Sequence, residues 1–339
     1  MAKPNMKDVA RAANVSPMTV SRAFKQSATV SDATRERIMK IAEEMGYVFD
    51  STASNLRSQK TGFIAVIVPT INNANFADTV RAMSEGLRTQ DLQILLGYTD
   101  YDIQEEERLI EQLLQRRPEA ITLTGGKHTP RARRLLLNAG IPVVETWDLP
   151  PDPIGHAVGF SNAAAGRLML EHFVARGYRR IGFIGGDESR DSRGLERRYG
   201  FIRALAEHGL DTTRLVASGP PPISMHEGAM SMRELLEKWP DTEAVMCVSD
   251  LSAFGALTEC QRRGIDVPGQ IAIGGFGAYD IAEHCVPALT TIDANAAEIG
   301  RQTAKVLLEH RHAMAGKKPF EFPQRIIQLT PTLLPRETT

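Results

Sequence analysis

The residues of this 339-residue chain best placed to do chemistry are polar and aromatic side chains that fall just after apolar runs. Asn75 and Phe76 follow FIAVIVP, Lys127 and His128 follow AITLT, Trp147 follows IPVVE, Asp187 and Arg190 follow RIGFIGG, and Asp250 follows EAVMCVS. These types suit a polyhydroxylated ligand. Aromatic faces stack on sugar C–H groups, carboxylates and amides accept hydroxyl protons, and cations can pair with an acid group. Patterns for turnover are missing: there is no phosphate loop ending Gly-Lys-Ser/Thr, no Gly-x-Ser-x-Gly elbow and no HExxH. His310 and His312 stand two apart on an expected helix, His226-Glu227 has no second histidine at the right spacing, and GGDESRDSRG lacks the third glycine of a dinucleotide loop. Neither an enzyme nor a cofactor or metal is expected.

The apolar runs must position these residues. From Phe63 onward, FIAVIVP, a helix near residues 76–88, QILLGY and a helix near 104–116 alternate, and AITLT, IPVVE, HAVGF, RIGFIGG, EAVMCVS and QIAIGGF continue the series. Continuous apolar strands between amphipathic helices predict parallel sheets buried on both faces, with a ligand beyond the strands' carboxyl ends. KTGFIAVIV and RRIGFIG are alike, as two similar α/β halves would be.

A different tool stands at the amino-terminal end. In KDVARAANVSPMTVSR, residues 7–22, Val9, Ala10 and Ala13 form an apolar helical face, Asn14 tolerates a left-handed turn and Val15 takes the buried turn position. Ser16 can cap a second helix, Pro17 suits its first position, and Val20 and Phe24 turn inward. Pro17, Met18, Thr19, Ser21 and Arg22 are left on the face a recognition helix offers to base edges, and Ser16 and Thr29 join the DNA-facing set. Ser31 can cap a third helix carrying Ile38, Ile41, Ala42 and Met45 on one face and ended by Gly46. The pattern predicts a helix-turn-helix domain over residues 1–49.

Charge agrees with that reading once its distribution is considered. The formal net charge is only -1, yet residues 1–60 hold ten Lys and Arg against six Asp and Glu, leaving 30 basic and 35 acidic residues elsewhere. A basic head on an acidic body draws one end to phosphate. Cys247, Cys260 and Cys285 have neither metal-ligand spacing nor even pairing, and no apolar run reaches the roughly 20 residues of a membrane helix. A cytoplasmic protein with no membrane partner is expected.

KDVARAANVSPMTVSR, SDATRERI from Ser31 and EMGY from Glu44 together resemble the LacI/GalR family of repressors, and the resemblance extends over essentially the whole chain. It implies a homodimer on a palindromic operator and a periplasmic-binding-protein-like body of two doubly wound parallel lobes over 62–339. Lobe 1 would cover about 62–160 and 292–323, lobe 2 about 161–291 and 324–339, with the effector between them. It implies that 50–61 is a hinge helix formed on operator DNA, with Ala53 and Leu56 at the minor groove. Phe49, Asp50, Thr52 and Ser54 depart from the family's Pro, Asn, Leu and Arg there. Arg197, in RRYGF, occupies the place of an effector-contacting arginine, and Phe276 lies in a triplet where the family's aspartate is replaced by Gly277. HTPR from His128, AVGFSN from Ala157, ECQRRG from Glu259 and GFGAYD from Gly275 resemble the gluconate-utilisation repressors of the GntR branch. That likeness implies a sugar-acid effector, gluconate first, with 2-ketogluconate or another sugar or sugar acid as the alternative, and a sugar-binding transport protein is the rival reading from another class. The tail TPTLLPRETT has no heptads, so a dimer rather than a tetramer is expected.

Overall fold

The structure, a computed structural model, describes residues 3–25, 29–49, 61–186, 190–314 and 323–339. Ala53, Leu56 and Asp187 lie outside them. The chain divides into two compact units, Met1–Thr61 and Gly62–Thr339.

Among its described residues the small unit holds three helices, α1 (Met6–Ala12), α2 (Pro17–Phe24) and α3 (Asp32–Glu44). Asn5 and Asp8 form a capping box at α1. Asn14 takes the left-handed conformation expected of it, at φ 52°. Val9, Ala10, Ala13, Val20, Ala23, Ile38 and Ala42 bury together. Ser31 stands at the start of α3 as predicted but makes no side-chain capping bond, and its hydroxyl pairs with Thr34 Oγ1 at 2.9 Å. Phe49 stacks on Phe24 with ring centroids 5.0 Å apart. The family's proline is thus replaced by a ring that extends this small core, where each added apolar contact counts.

The larger unit begins with β1 (Phe63–Val68), β2 (Gln93–Tyr98), β3 (Ile121–Thr124), β4 (Val143–Thr146) and β5 (His156–Gly159). Along β1, Ile64, Val66 and Val68 join one apolar cluster while Ala65 and Ile67 join another, which is the period-two signature of a strand covered on both faces. Helices α4 (Ala74–Arg88), α5 (Ile103–Gln115) and α6 (Pro130–Leu137) provide the cover in lobe 1. The chain leaves this lobe after β5 and builds a second parallel sheet from β6 (Ile181–Ile184), β7 (Leu215–Val216), β8 (Ala244–Cys247) and β9 (Ala272–Gly274). Around it lie α7 (Asn162–Ala175), α8 (Ser192–Glu207), α9 (Met225–Lys238), α10 (Asp250–Arg262) and the short α11 (Asp280–His284). Gly166 allows α7 to meet α8 closely: a Cβ there would stand 2.1 Å from the Arg197 carbonyl oxygen.

Strand β10 (Thr291–Asp293) leads back to lobe 1, where α12 (Ala296–Met314) packs on α4. The last crossing corrects the expected boundary at 323. Strand β11 (Ile326–Gln328) pairs with β5 and completes a six-stranded sheet of order β11-β5-β4-β3-β1-β2 in lobe 1. Arg325 and Leu329 extend that pairing through backbone bonds to Ala157 and Gly159. The chain changes lobes only afterwards, through β12 (Thr332–Leu334), which runs antiparallel to β10, to Thr338, which bonds Ile273. Among the described residues no helix is long and apolar enough to cross a membrane.

Candidate functional site

In the small unit, α2 starts as a recognition helix should. Ser16 Oγ accepts the Thr19 N–H at 3.1 Å, Pro17 fills the first turn where no donor is needed, and Val20 and Ala23 anchor the opposite face in the core. Met18 is 60% exposed, and Arg22, one turn later, is also exposed. Thr19 and Ser21 are half-buried beside them, and Thr29 is exposed beyond the helix. An apolar tip and a cation thus share one face.

In the larger unit, a cleft with an empty volume of about 690 Å³, open mouth included, is lined from both lobes, large enough for a small metabolite. Asn75, Phe76, Trp147, Arg197 and Phe276, all singled out from sequence, line it. Its apolar wall is a relay of edge-on rings: Phe76 to Trp147 at 5.3 Å, Trp147 to Phe160 at 5.8 Å, and Phe160 tilted on Phe276 at 6.0 Å. Trp147 holds its place with φ 67°, a left-handed backbone that costs a large residue roughly 1–3 kcal/mol and is characteristic of ligand-holding positions. Its indole N–H donates to Thr79 Oγ1 at 3.2 Å.

Two guanidinium groups sit at the ends of this wall. Arg197 lies 4.0 Å above the Phe276 ring and donates from Nη1 to Asn162 Oδ1 at 2.5 Å, while the Asn162 amide donates to the Trp147 carbonyl. Burial lowers the Arg197 pKa from its ordinary value, and its buried Nε has no hydrogen-bond partner among the described residues. Arg193, one turn earlier on α8, lies 5.8 Å over Phe76 and donates to the Thr124 carbonyl. Asp191 is the only carboxylate among the described lining residues, which leaves one net positive charge. Burial, with Asp191 nearby, raises the Tyr101 hydroxyl pKa, and burial with Asp250 nearby raises that of Tyr279, so both stay neutral donors at pH 7. This set offers aromatic faces, hydroxyls, amides and an unsatisfied cationic donor.

Four expected residues do other work. Lys127 is exposed away from the lining. His128 is buried between two carboxylates, Nδ1 2.6 Å from Glu106 and Nε2 3.3 Å from Glu145. Burial alone would lower its pKa, but the two carboxylate bonds prevail and raise it to about 9, so it serves as a charged internal tie. Asp250 is fully buried and accepts from the Tyr279 N–H and the Thr291 hydroxyl, fixing the 275–279 turn; burial pushes its pKa up to about 6 despite those bonds. Arg190 lies outside the lining and reaches across to the backbone of Asp100 and Tyr101. Gly277 does more than lack a carboxylate. At φ 131°, a Cβ there would stand 2.5 Å from Tyr279 Cε1, so the Tyr279 ring occupies the room an aspartate would take.

The sequence reading missed Tyr101, Asp191, Arg193 and Tyr279. A helical signal existed for one of them, since Arg193 stands four residues before Arg197 and so shares its face.

A three-helix head that presents the start of its second helix, on one chain with a two-lobed parallel α/β body enclosing a polar, aromatic cleft, defines a ligand-responsive DNA-binding regulator. Residues 5–50 match the bacterial regulatory proteins, lacI family, and residues 170–339 match the periplasmic binding protein-like domain. The chain belongs to the LacI family and is a transcriptional repressor, not an enzyme. It is 38% identical to the HTH-type transcriptional regulator GntR of Pseudomonas aeruginosa, over 93% of this chain and 91% of that one. It is 32% identical to the HTH-type transcriptional regulator IdnR of Escherichia coli, over 91% and 94% of the two chains. The crystal structure of a LacI-family transcriptional regulator from Silicibacter pomeroyi superposes with a TM-score of 0.89 at 34% identity, covering 99% of each chain. The lacI-family head decides for a regulator over a transport-type binding protein.

Proposed function

We propose that this repressor binds a palindromic operator as a homodimer and is released from it by a sugar acid, D-gluconate first and 2-ketogluconate second. The observation that carries the effector class is the buried Nε of Arg197, without a partner among the described residues, beside Arg193 in a lining whose described residues hold a single carboxylate. A buried cationic donor left without a partner is costly, and a ligand carboxylate satisfies it with a charge-assisted bond. The resemblance to the gluconate-utilisation repressors supports the same class. Calorimetric titration of the full-length protein should give D-gluconate binding at least tenfold tighter than D-glucose; equal affinities would remove the charge argument.

Strand β2 supports the dimer. It is the edge strand of lobe 1, and Leu96 and Tyr98 stand on one face of it, 44% and 55% exposed, with Ile71 at 57%. An uncovered apolar edge is suited to a second copy. Sedimentation at micromolar concentration should give a mass near two chains, and a mass near one or four would contradict the dimer. Ligand that favours the closed lobes over the open ones would lower operator affinity by the ratio of its affinities for the two states.

A further inference from the structure

We propose that Arg190 and Arg193 are positioning residues that latch lobe 2 onto the backbone of lobe 1 and set how much of the effector-free protein is already closed. The inference rests on the cleft being the effector site. Both arginines belong to the segment that opens α8 in lobe 2, and both send guanidinium donors to main-chain carbonyls of lobe 1, Arg193 also pairing through Nη2 with Asp191 of its own lobe at 3.7 Å. Arg190 donates from Nη2 to Asp100 O at 2.8 Å and from Nε to Tyr101 O at 3.3 Å, and Arg193 donates from Nη1 to Thr124 O at 3.2 Å.

Lobe 1 is shaped to receive them. Asp100 and Tyr101 are consecutive residues with left-handed backbones, φ 51° and 60°, an unfavourable pairing for two side-chain-bearing residues. Gly125, next to Thr124, has φ 99°, and a Cβ there would stand 2.6 Å from Arg193 Nη1. The glycine leaves that guanidinium room to reach the carbonyl without shifting. Tyr101 also lines the cleft, so the segment that Arg190 holds is the one that presents a phenol to the ligand. Bonds between the lobes exist only when the cleft is closed, so they favour the binding-competent state before ligand arrives. Apparent affinity scales with the fraction of molecules in that state.

Arg190 is the clean test because it is exposed and stands outside the cleft lining. Spin labels are placed on full-length protein carrying Thr89→Cys and His208→Cys, at the ends of α4 and α8 remote from the cleft, in a Cys285→Ser background; Cys247 and Cys260 are buried. Without ligand, adding Arg190→Ala should spread the inter-label distances to values absent from the parent protein, and saturating D-gluconate should restore the parent distribution. The gluconate Kd should rise roughly tenfold, the two solvent-exposed Arg190 bonds together counting for about one charged hydrogen bond, while the melting temperature stays unchanged. Arg190→Lys, which keeps the charge and loses the fork, should fall between. Unchanged distances in Arg190→Ala would overturn the latch. If the parent protein does not bind gluconate, the effector assignment fails, but the ligand-free distances still decide the latch.

Discussion

Arg197→Ala should abolish the response to gluconate while leaving effector-free operator binding within about twofold of the parent. Arg197 is held from two sides, by the Phe276 ring beneath it and by Asn162, whose amide in turn bonds the Trp147 carbonyl. Its guanidinium is therefore placed before ligand arrives, so little ordering cost is left for binding. Charged hydrogen bonds contribute roughly 1.5–3 kcal/mol each, so losing two to a carboxylate weakens binding by a hundredfold or more. Arg197→Lys should not rescue it, because a point charge cannot bond the carboxylate and Asn162 in the same fork geometry. The DNA-reading helix belongs to a separate compact unit, which is why operator affinity should survive. A variant that folds normally and still leaves the operator at parental gluconate concentrations would show that the acid group is met elsewhere.

Arg22→Ala should cost about 1–3 kcal/mol on the specific operator and little on random DNA. The helix presents Arg22 one turn after Met18, both exposed, while Val20 and Ala23 fix the rotation of the helix from behind. A guanidinium in that position can bond guanine O6 and N7, whereas Met18 offers only apolar contact, of the kind a thymine methyl accepts. The check is affinity on operator and on random duplex at one salt concentration. Equal losses on both would make Arg22 a phosphate contact.

The parts of this molecule visible in the sequence are those set by local spacing. The capped second helix and its inward Val20 follow from neighbours within a turn, and the strands show as continuous apolar runs because both faces are covered. What stayed hidden depends on distant partners. His128 and Asp250 stand near strand ends, as ligand-binding residues would, yet each is claimed by residues far along the chain: Glu106 and Glu145 for His128, Thr291 for Asp250. Strand β11 is too short and too exposed for its own pattern to say which sheet it joins, so the sequence pattern puts the lobe boundary ahead of it. The displacement of Gly277 chemistry by Tyr279 needs the fold of the turn, which only the structure supplies. Arg193 is the exception, a site residue legible from its helical spacing to Arg197.

A sugar acid bound in the cleft should release the helix-turn-helix from DNA. The direct measurement is fluorescence anisotropy of a labelled operator duplex bound by the full-length repressor, titrated in parallel with D-gluconate and D-glucose at fixed salt. Gluconate should lower the anisotropy to that of free DNA, and glucose should leave the complex intact at the same concentrations. Release by both sugars alike, or tighter binding in gluconate, would contradict it.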